Sequence, residues 1–503
     1  MTRARITVDP DLVVGPVRKR TFGSFVEHLG RSVYTGIYEP GHPSADGSGF
    51  RTDVLDLVRE LGVGTVRYPG GNFVSCYRWE DGVGPLEQRP KRLDLAWHST
   101  EPNTFGLDEF MRWCAEGGIE PMMAINLGTR GISEALDILE YCNIASGTAL
   151  SDLRRRNGAE RPYNVTMWCL GNEMDGPWQV GHKTPQEYGR LAAEVGRAMR
   201  MVDPGLELVA CGSSGTGMPT FGEWERVVLT ETYEVVDLIS AHAYYWEEDG
   251  DLGSFLASAV DMDGFIAGVT ATADAVGAVK KTDKKIHISF DEWNVWYQKR
   301  AESKVPEGAD WPVAPVLLED RYNVADAVVV GNLLISLLRH TDRVHSASLA
   351  QLVNVIAPIM TEPGGPAWRQ TTFHPFALTA RYAKGDVLRV PVRAETYDTA
   401  RFGAVPLIDA VATHDEEAGE VAIFVVNRSL HDATPVEVDL RALGEGSVIE
   451  ALELSNPDHT WHATAGDATS VLPKPLTDVK IEDGRLTAAL PPVSWAMIRV
   501  STS

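Results

Sequence analysis

Cysteine is scarce and poorly placed for cross-linking. The 503 residues hold five, Cys76, Cys114, Cys142, Cys169 and Cys211, an odd number, widely spaced and without a CxxC pair. That argues against a disulfide framework or a zinc knuckle and favours a reducing compartment. No run of about 18 uncharged apolar residues occurs, so no membrane span is expected. No apolar stretch of signal-peptide length precedes Asp9 and Pro10, and the expectation is a soluble, cytoplasmic chain. Basic residues are outnumbered: Lys+Arg total 46 against 70 Asp+Glu, a formal charge of -24. Such a surface repels phosphates and anionic headgroups, so neither nucleic acid nor membrane is an expected partner. The 13 histidines include no HExxH or comparable spacing, and no metal site is expected. Gly212 to Gly217 is glycine-rich but lacks the following Lys-Ser/Thr of a phosphate cradle, and reads as a loop.

What is present is an ordinary globular composition, 44% hydrophobic and 23% charged, in a chain long enough for more than one folding unit. Short apolar runs alternate with amphipathic stretches through the first three quarters. Strands are expected at residues 21–27, 64–68, 121–126, 165–170, 207–211, 237–242, 286–290 and 346–351. Helices are expected between them, for example over 53–61, 107–116, 185–201 with Thr184 as N-cap and Pro185 at the first turn, and 325–338. Eight such units point to a (β/α)8 barrel rather than an open dinucleotide sheet, which would need a glycine fingerprint at its first turn. After about Gly385 the pattern becomes short strand-like segments such as 421–426, 434–438 and 495–500, the mark of an antiparallel β-sandwich. The expected division is a barrel over 16–385 and a sandwich over 386–503, completed by residues 1–15, whose segment 4–8 has no helix after it.

In a closed barrel, catalytic groups stand where strands end. Glu27 and His28 end the first expected strand, Arg67 and Asn72 flank the second, and Asn126 ends the third. Asn172 and Glu173 follow the fourth, His242 and Tyr244 the sixth, Asp291 and Glu292 the seventh, and Gln351 the eighth. Carboxylates, amides and aromatics converging on one mouth suit a sugar cleft. Two acidic groups there could divide glycoside hydrolysis between an acid and a nucleophile or base. Strand alternation alone does not choose between Asp291 and Glu292, since a one-residue slip exchanges the two faces.

Trp168 to Trp178 (WCLGNEMDGPW) and His287 to Trp296 (HISFDEWNVW) resemble glycoside hydrolase family 51, the retaining α-L-arabinofuranosidases of clan A. The likeness extends to 22–28 (FGSFVEH), 67–74 (RYPGGNFV), 241–245 (AHAYY) and 350–358 (AQLVNVIAP), six ordered segments spanning nearly the whole barrel. The resemblance implies a barrel followed by a β-sandwich, and a homo-oligomer, often a hexamer; no cofactor is expected. By position it makes Glu173 the general acid/base and Glu292 the nucleophile. Asn172 matches an amide bonded to the sugar beside the reactive carbon. Glu27, Asn72, Tyr244 and Gln351 match furanose-binding or nucleophile-supporting positions, and Arg67 and His242 match groups around the nucleophile. Trp97, Trp178 and Trp296 are candidates for pocket walls. Cys76 receives no role.

A retaining reaction needs two carboxyls about 5–5.5 Å apart. Two such charges oppose each other, so one carboxyl is expected to keep its proton near neutrality, while Arg67 against Glu292 would keep the other ionised. The expected activity is exo-acting removal of terminal α-L-arabinofuranosyl units from arabinan- or arabinoxylan-derived oligosaccharides. The alternatives are another clan-A retaining glycosidase, an endoglucanase or xylosidase, and a non-catalytic carbohydrate-binding protein.

Overall fold

The computed structural model describes residues 3–298 and 304–502. Eight parallel strands close a barrel in chain order: Gly23–Phe25, Thr65–Tyr68, Glu120–Ala124, Met167–Leu170, Glu207–Ala210, Leu238–Tyr245, His287–Val295 and Val344–Leu349. We call them the first to the eighth barrel strand. Val74, Met122, Ala124, Met167, Cys169, Val209 and Leu238 cluster as one buried group, drawn mainly from the third to sixth strands, in keeping with a filled barrel rather than a pore.

The helices follow local sequence signals. Thr52–Leu61 buries Val54, Leu55, Leu57, Val58 and Leu61 and stops at Gly62, whose φ of 81° suits a residue without Cβ. Pro185–Val202 opens with the Thr184 side chain accepting from the Glu187 amide, while the Glu187 carboxylate returns to the Thr184 amide. That reciprocal cap is worth about 1 kcal/mol.

Three expected strands differ instructively. The first is short, because Lys19–Phe22 forms a 3-10 turn, so Glu27 lies beyond the strand. The sixth and seventh run past the expected ends, to Tyr245 and Val295, so His242, Tyr244, Asp291 and Glu292 lie within strands. The register explains how strand residues reach the site. Ser240 pairs with Ser289 but His242 with Glu292, and on the other edge Phe290 pairs with Ala347 but Trp293 with Leu349. The seventh strand thus carries one extra residue between Ser289 and Glu292, a bulge that re-aims side chains locally.

Beyond the barrel lie two sheets. The seven-stranded one is ordered Val13–Pro16, Asp386–Leu388, Ile408–Asp415, Glu420–Asn427, Ser494–Ser501, Val448–Leu454 and Lys474–Pro475. The five-stranded one is ordered Val392–Arg393, Ala4–Thr7, Thr434–Asp439, Arg485–Leu490 and Lys480–Glu482. Pairing is antiparallel except that Ala4–Thr7 runs parallel to Thr434–Asp439. Val421, Ile423 and Val425 face the core between the sheets, whereas Ala422, Phe424 and Val426 join the barrel-side cluster. The run is continuously apolar because both of its faces are buried. The helix Val324–Arg339 fills the seam between barrel and sheet, with every residue from Val324 to Leu338 buried. A Cβ on its Gly331 would fall on the Trp495 indole, so glycine permits that approach. Residues 1, 2 and 503, at the outer bounds expected for the sandwich unit, lie outside the described residues. Among the described residues no helix is long and apolar enough to cross a membrane, and all five cysteines are free thiols.

Candidate active site

A pocket of about 420 Å³ opens at the strand ends. Glu27, Asn72, Trp97, Glu173, Trp178, Tyr244, Glu292, Trp296 and Gln351 all line it. Arg67, Asn172 and His242 stand directly behind, each bonded to a lining residue or to one another. Asn126 stays outside: its amide donates to the Tyr77 carbonyl and the Thr129 hydroxyl.

Arg67, 1% exposed, organises the nucleophile side. Its Nη1 donates to Glu292 Oε1 at 2.8 Å, its Nη2 to Asn172 Oδ1 at 2.5 Å, and the guanidinium lies 4.7 Å above the Phe25 ring. The other Glu292 oxygen accepts from the Tyr244 hydroxyl at 2.6 Å, with His242 Nδ1 3.7 Å away. Burial disfavours charge on Glu292, yet His242, Arg67 and the tyrosine hydroxyl outweigh it and hold the carboxyl below its ordinary value. His242 answers in kind. Burial works against its charge, but Glu292 and Glu173 raise its pKa.

The bulge settles what alternation left open, because Asp291 and Glu292 both reach Arg67. Glu292 lines the pocket. Asp291 lies beneath, accepting from the Ser289 hydroxyl, 3.8 Å from Arg67 Nε and 3.6 Å from Cys169 Sγ. Burial pushes Asp291 up, toward its neutral form.

Glu173 sits opposite, on a backbone with φ of 41°. Its Oε1 pairs with His242 Nδ1 at 2.9 Å and its Oε2 accepts from Trp178 Nε1 at 2.6 Å. Trp178 is half exposed, and a Cβ on Gly176 would collide with its indole, so glycine lets the ring fold back over the acid. One ligand atom each from Glu173, His242 and Glu292 lies within 4.8 Å of the other two, a spacing that would also admit a metal ion.

Glu27 closes the far side. Oε1 accepts from the Phe73 amide and from Trp97 Nε1, both at 2.9 Å, and Oε2 accepts from Gln351 Nε2 at 3.1 Å. Gly71 leaves room for this carboxylate, which a Cβ there would strike. Burial pushes Glu27 up to about 8 against those donors. Trp97 rides on a hairpin, Arg92–Asp94 paired with Ser99–Glu101, that sequence reading did not anticipate. Glu101 anchors it, bonded to His28 at 2.9 Å and accepting from the Tyr34 hydroxyl, while Asp94 caps its tip through the Ala96 amide. Gln179 and Ser214 were also missed. Gln179 bonds Asn172, and Ser214 lines the pocket while bonding Asp175. Neither carries a periodic signal; the nearest clue is position, Gln179 closing the segment that begins at Asn172.

The chain matches known proteins along nearly its whole length. A family model described as the alpha-L-arabinofuranosidase 1 domain matches residues 57–262, and one described as the alpha-L-arabinofuranosidase C-terminal domain matches 291–494. The chain is 60% identical over 501 residues to an intracellular exo-alpha-(1->5)-L-arabinofuranosidase of Streptomyces lividans, covering 99% of this chain and 75% of the relative. It is 57% identical over 510 residues to an exo-alpha-(1->6)-L-arabinofuranosidase of Bifidobacterium longum, covering 99% and 98%. A solved family 51 alpha-L-arabinofuranosidase from Bifidobacterium longum superposes with a TM-score of 0.96 at 51% identity, covering 99% of this chain and 100% of that one.

Proposed function

The chain belongs to the α-L-arabinofuranosidases of glycoside hydrolase family 51, and on that premise we propose that it is an exo-acting enzyme releasing terminal α-L-arabinofuranosyl units with retention. The observation that carries this reading is the pairing of an Arg67-anchored Glu292 with Glu173 across a gap of at most 4.8 Å between oxygens. So close an approach suits direct attack by one carboxylate while the other protonates the leaving oxygen.

Glu292, kept ionised by His242 and Arg67, attacks the anomeric carbon as Glu173 protonates the departing oxygen. Esterification removes the Glu292 charge, and Glu173, now a carboxylate, draws a proton from the water that releases the sugar. Tyr244 and Arg67 occupy separate oxygens of Glu292 and fix its aim. A pocket at the small end of ligand sites, walled by Trp97, Trp178 and Trp296, fits a terminal sugar better than an internal one. Relatives named for (1->5) and (1->6) activity stand at similar identity, so arabinan- and arabinoxylan-derived oligosaccharides bearing terminal arabinofuranose are the proposed substrates. Relatives named intracellular support a cytoplasmic site of action. A homo-oligomer, with the hexamer as its specific form, is proposed from the family and is checked by light scattering. The division into a barrel over 16–385 and a sandwich over 386–503 with 1–15 is proposed as the domain plan.

Azide rescue tests the roles. With Glu292→Ala, azide should enter the vacated face and give the inverted glycosyl azide. With Glu173→Ala and a good leaving group, azide should attack the covalent intermediate and give the retained one. The opposite pattern would reverse the assignment.

A further inference from the structure

The loop after Glu173 ends on Gln179, a side chain 1% exposed that does not line the pocket. Its amide bridges two loops. Nε2 donates to the Asn72 backbone carbonyl at 3.4 Å and to the Ser75 hydroxyl, while Oε1 accepts from Asn172 Nδ2 at 3.4 Å. This direction is dictated, because a carbonyl has no hydrogen to give and only the amide nitrogen can face it. At the other end of the chain Arg67, which offers donors only, holds Asn172 Oδ1. Asn172 is therefore poled between the two, with its Nδ2 turned toward Gln179 and toward Asn72 Oδ1, 3.4 Å away. Asn72 accepts through its oxygen, which leaves its own amide nitrogen for the pocket it lines. Three amides thus share one polarity along the edge beside Glu173.

We propose that Gln179 is a positioning residue that, by holding Asn172 Nδ2 toward Asn72 Oδ1, keeps Asn72 presenting its own amide N–H to the hydroxyl on the sugar carbon next to the reactive one. The proposal rests on the assignment of Asn72 to the furanose. Hydrogen bonds at that hydroxyl strengthen in the transition state, so losing the alignment lowers kcat more than it raises KM.

The test compares the full-length chain with Gln179→Leu, Gln179→Glu and Asn172→Ala on 4-nitrophenyl α-L-arabinofuranoside and on its 2-deoxy counterpart, with thermal unfolding to establish folding. Gln179→Leu is expected to lose about 10-fold or more in kcat/KM on the parent substrate, mainly in kcat, and under about 3-fold on the 2-deoxy substrate. Gln179→Glu should behave alike, since it sets a carboxylate oxygen against the Asn72 carbonyl, and it carries the comparison if the leucine variant does not fold. Equal losses on both substrates, or no loss, would overturn the proposal. If Asn172→Ala loses preferentially on the parent substrate while the Gln179 variants do not, the role of Gln179 alone fails. If Asn172→Ala, which breaks the link from Gln179 to Asn72, shows no such preference, the assignment of Asn72 to that hydroxyl fails and the proposal with it.

Discussion

Two charge networks sit in this chain, one buried at the barrel mouth and one part-buried at the seam between barrel and seven-stranded sheet, and they are built to opposite ends. At the seam, Arg428 Nε donates to the Leu256 carbonyl and to Asn332, its Nη1 to the Pro406 carbonyl, and its Nη2 to Asn332 and Asp409. Arg339 pairs with both Asp409 and Asp263, and His340 with Asp263. Two acids meet two arginines and a histidine, and every side-chain nitrogen of Arg428 has a partner. At the mouth, among the described residues, Glu173, Asp291 and Glu292 pair only with Arg67 and His242, and Glu27 pairs with neither. Moreover, Arg67 Nε and His242 Nε2 are buried without a hydrogen-bond partner among the described residues. A balanced, satisfied network holds parts together; an acid-rich, incompletely satisfied one is poised to move protons and charge.

The comparison breaks first at Glu292. Glu292→Ala should lower kcat by about 10⁴-fold or more, read in steady-state assays with any leaving group. Arg67→Met should follow, at about 10³-fold, because Glu292 then loses its cation and its pKa rises; the acidic limb of the kcat/KM profile should move to higher pH. At the seam the order inverts. Arg428→Ala should leave kcat/KM within about 2-fold yet cost about 3 kcal/mol of stability, seen as a lower unfolding temperature by calorimetry, because Asp409 is left buried with one arginine fewer.

The last effect is a slope. Folded Glu27 titrates near 8, well above an unfolded glutamate, so between about pH 4.5 and 8 the folded state binds the extra proton. Its contribution is fully present below the unfolded value and is lost as pH rises through 8, a fall of at most about 1.4 kcal/mol per pH unit. Glu27→Gln should flatten that part of the stability profile, measured by urea unfolding at a series of pH values.

The barrel was legible because its alternation is strong and its strand-end residues are polar against an apolar background, and so Glu27, Asn72, Glu173 and Gln351 could be placed at one mouth before any coordinates. The bulge was not, since an inserted residue leaves no compositional trace, and with it the inward turn of both Asp291 and Glu292 went unread. Neither was the seam. Arg428, Asp409 and Arg339 are ordinary surface residue types whose partners lie up to 172 positions away, and burial by another layer is invisible to local pattern. The Trp97 hairpin was hidden for a related reason, three-residue strands being too short to show a period.

The most direct measurement is peptide mapping by mass spectrometry of the Glu173→Ala variant quenched during turnover of an aryl α-L-arabinofuranoside with a good leaving group. An arabinosyl ester on the peptide carrying Glu292 is the expected result. An adduct on any other carboxylate, or none while the first-formed sugar has the inverted β configuration, would contradict the double displacement at Glu292.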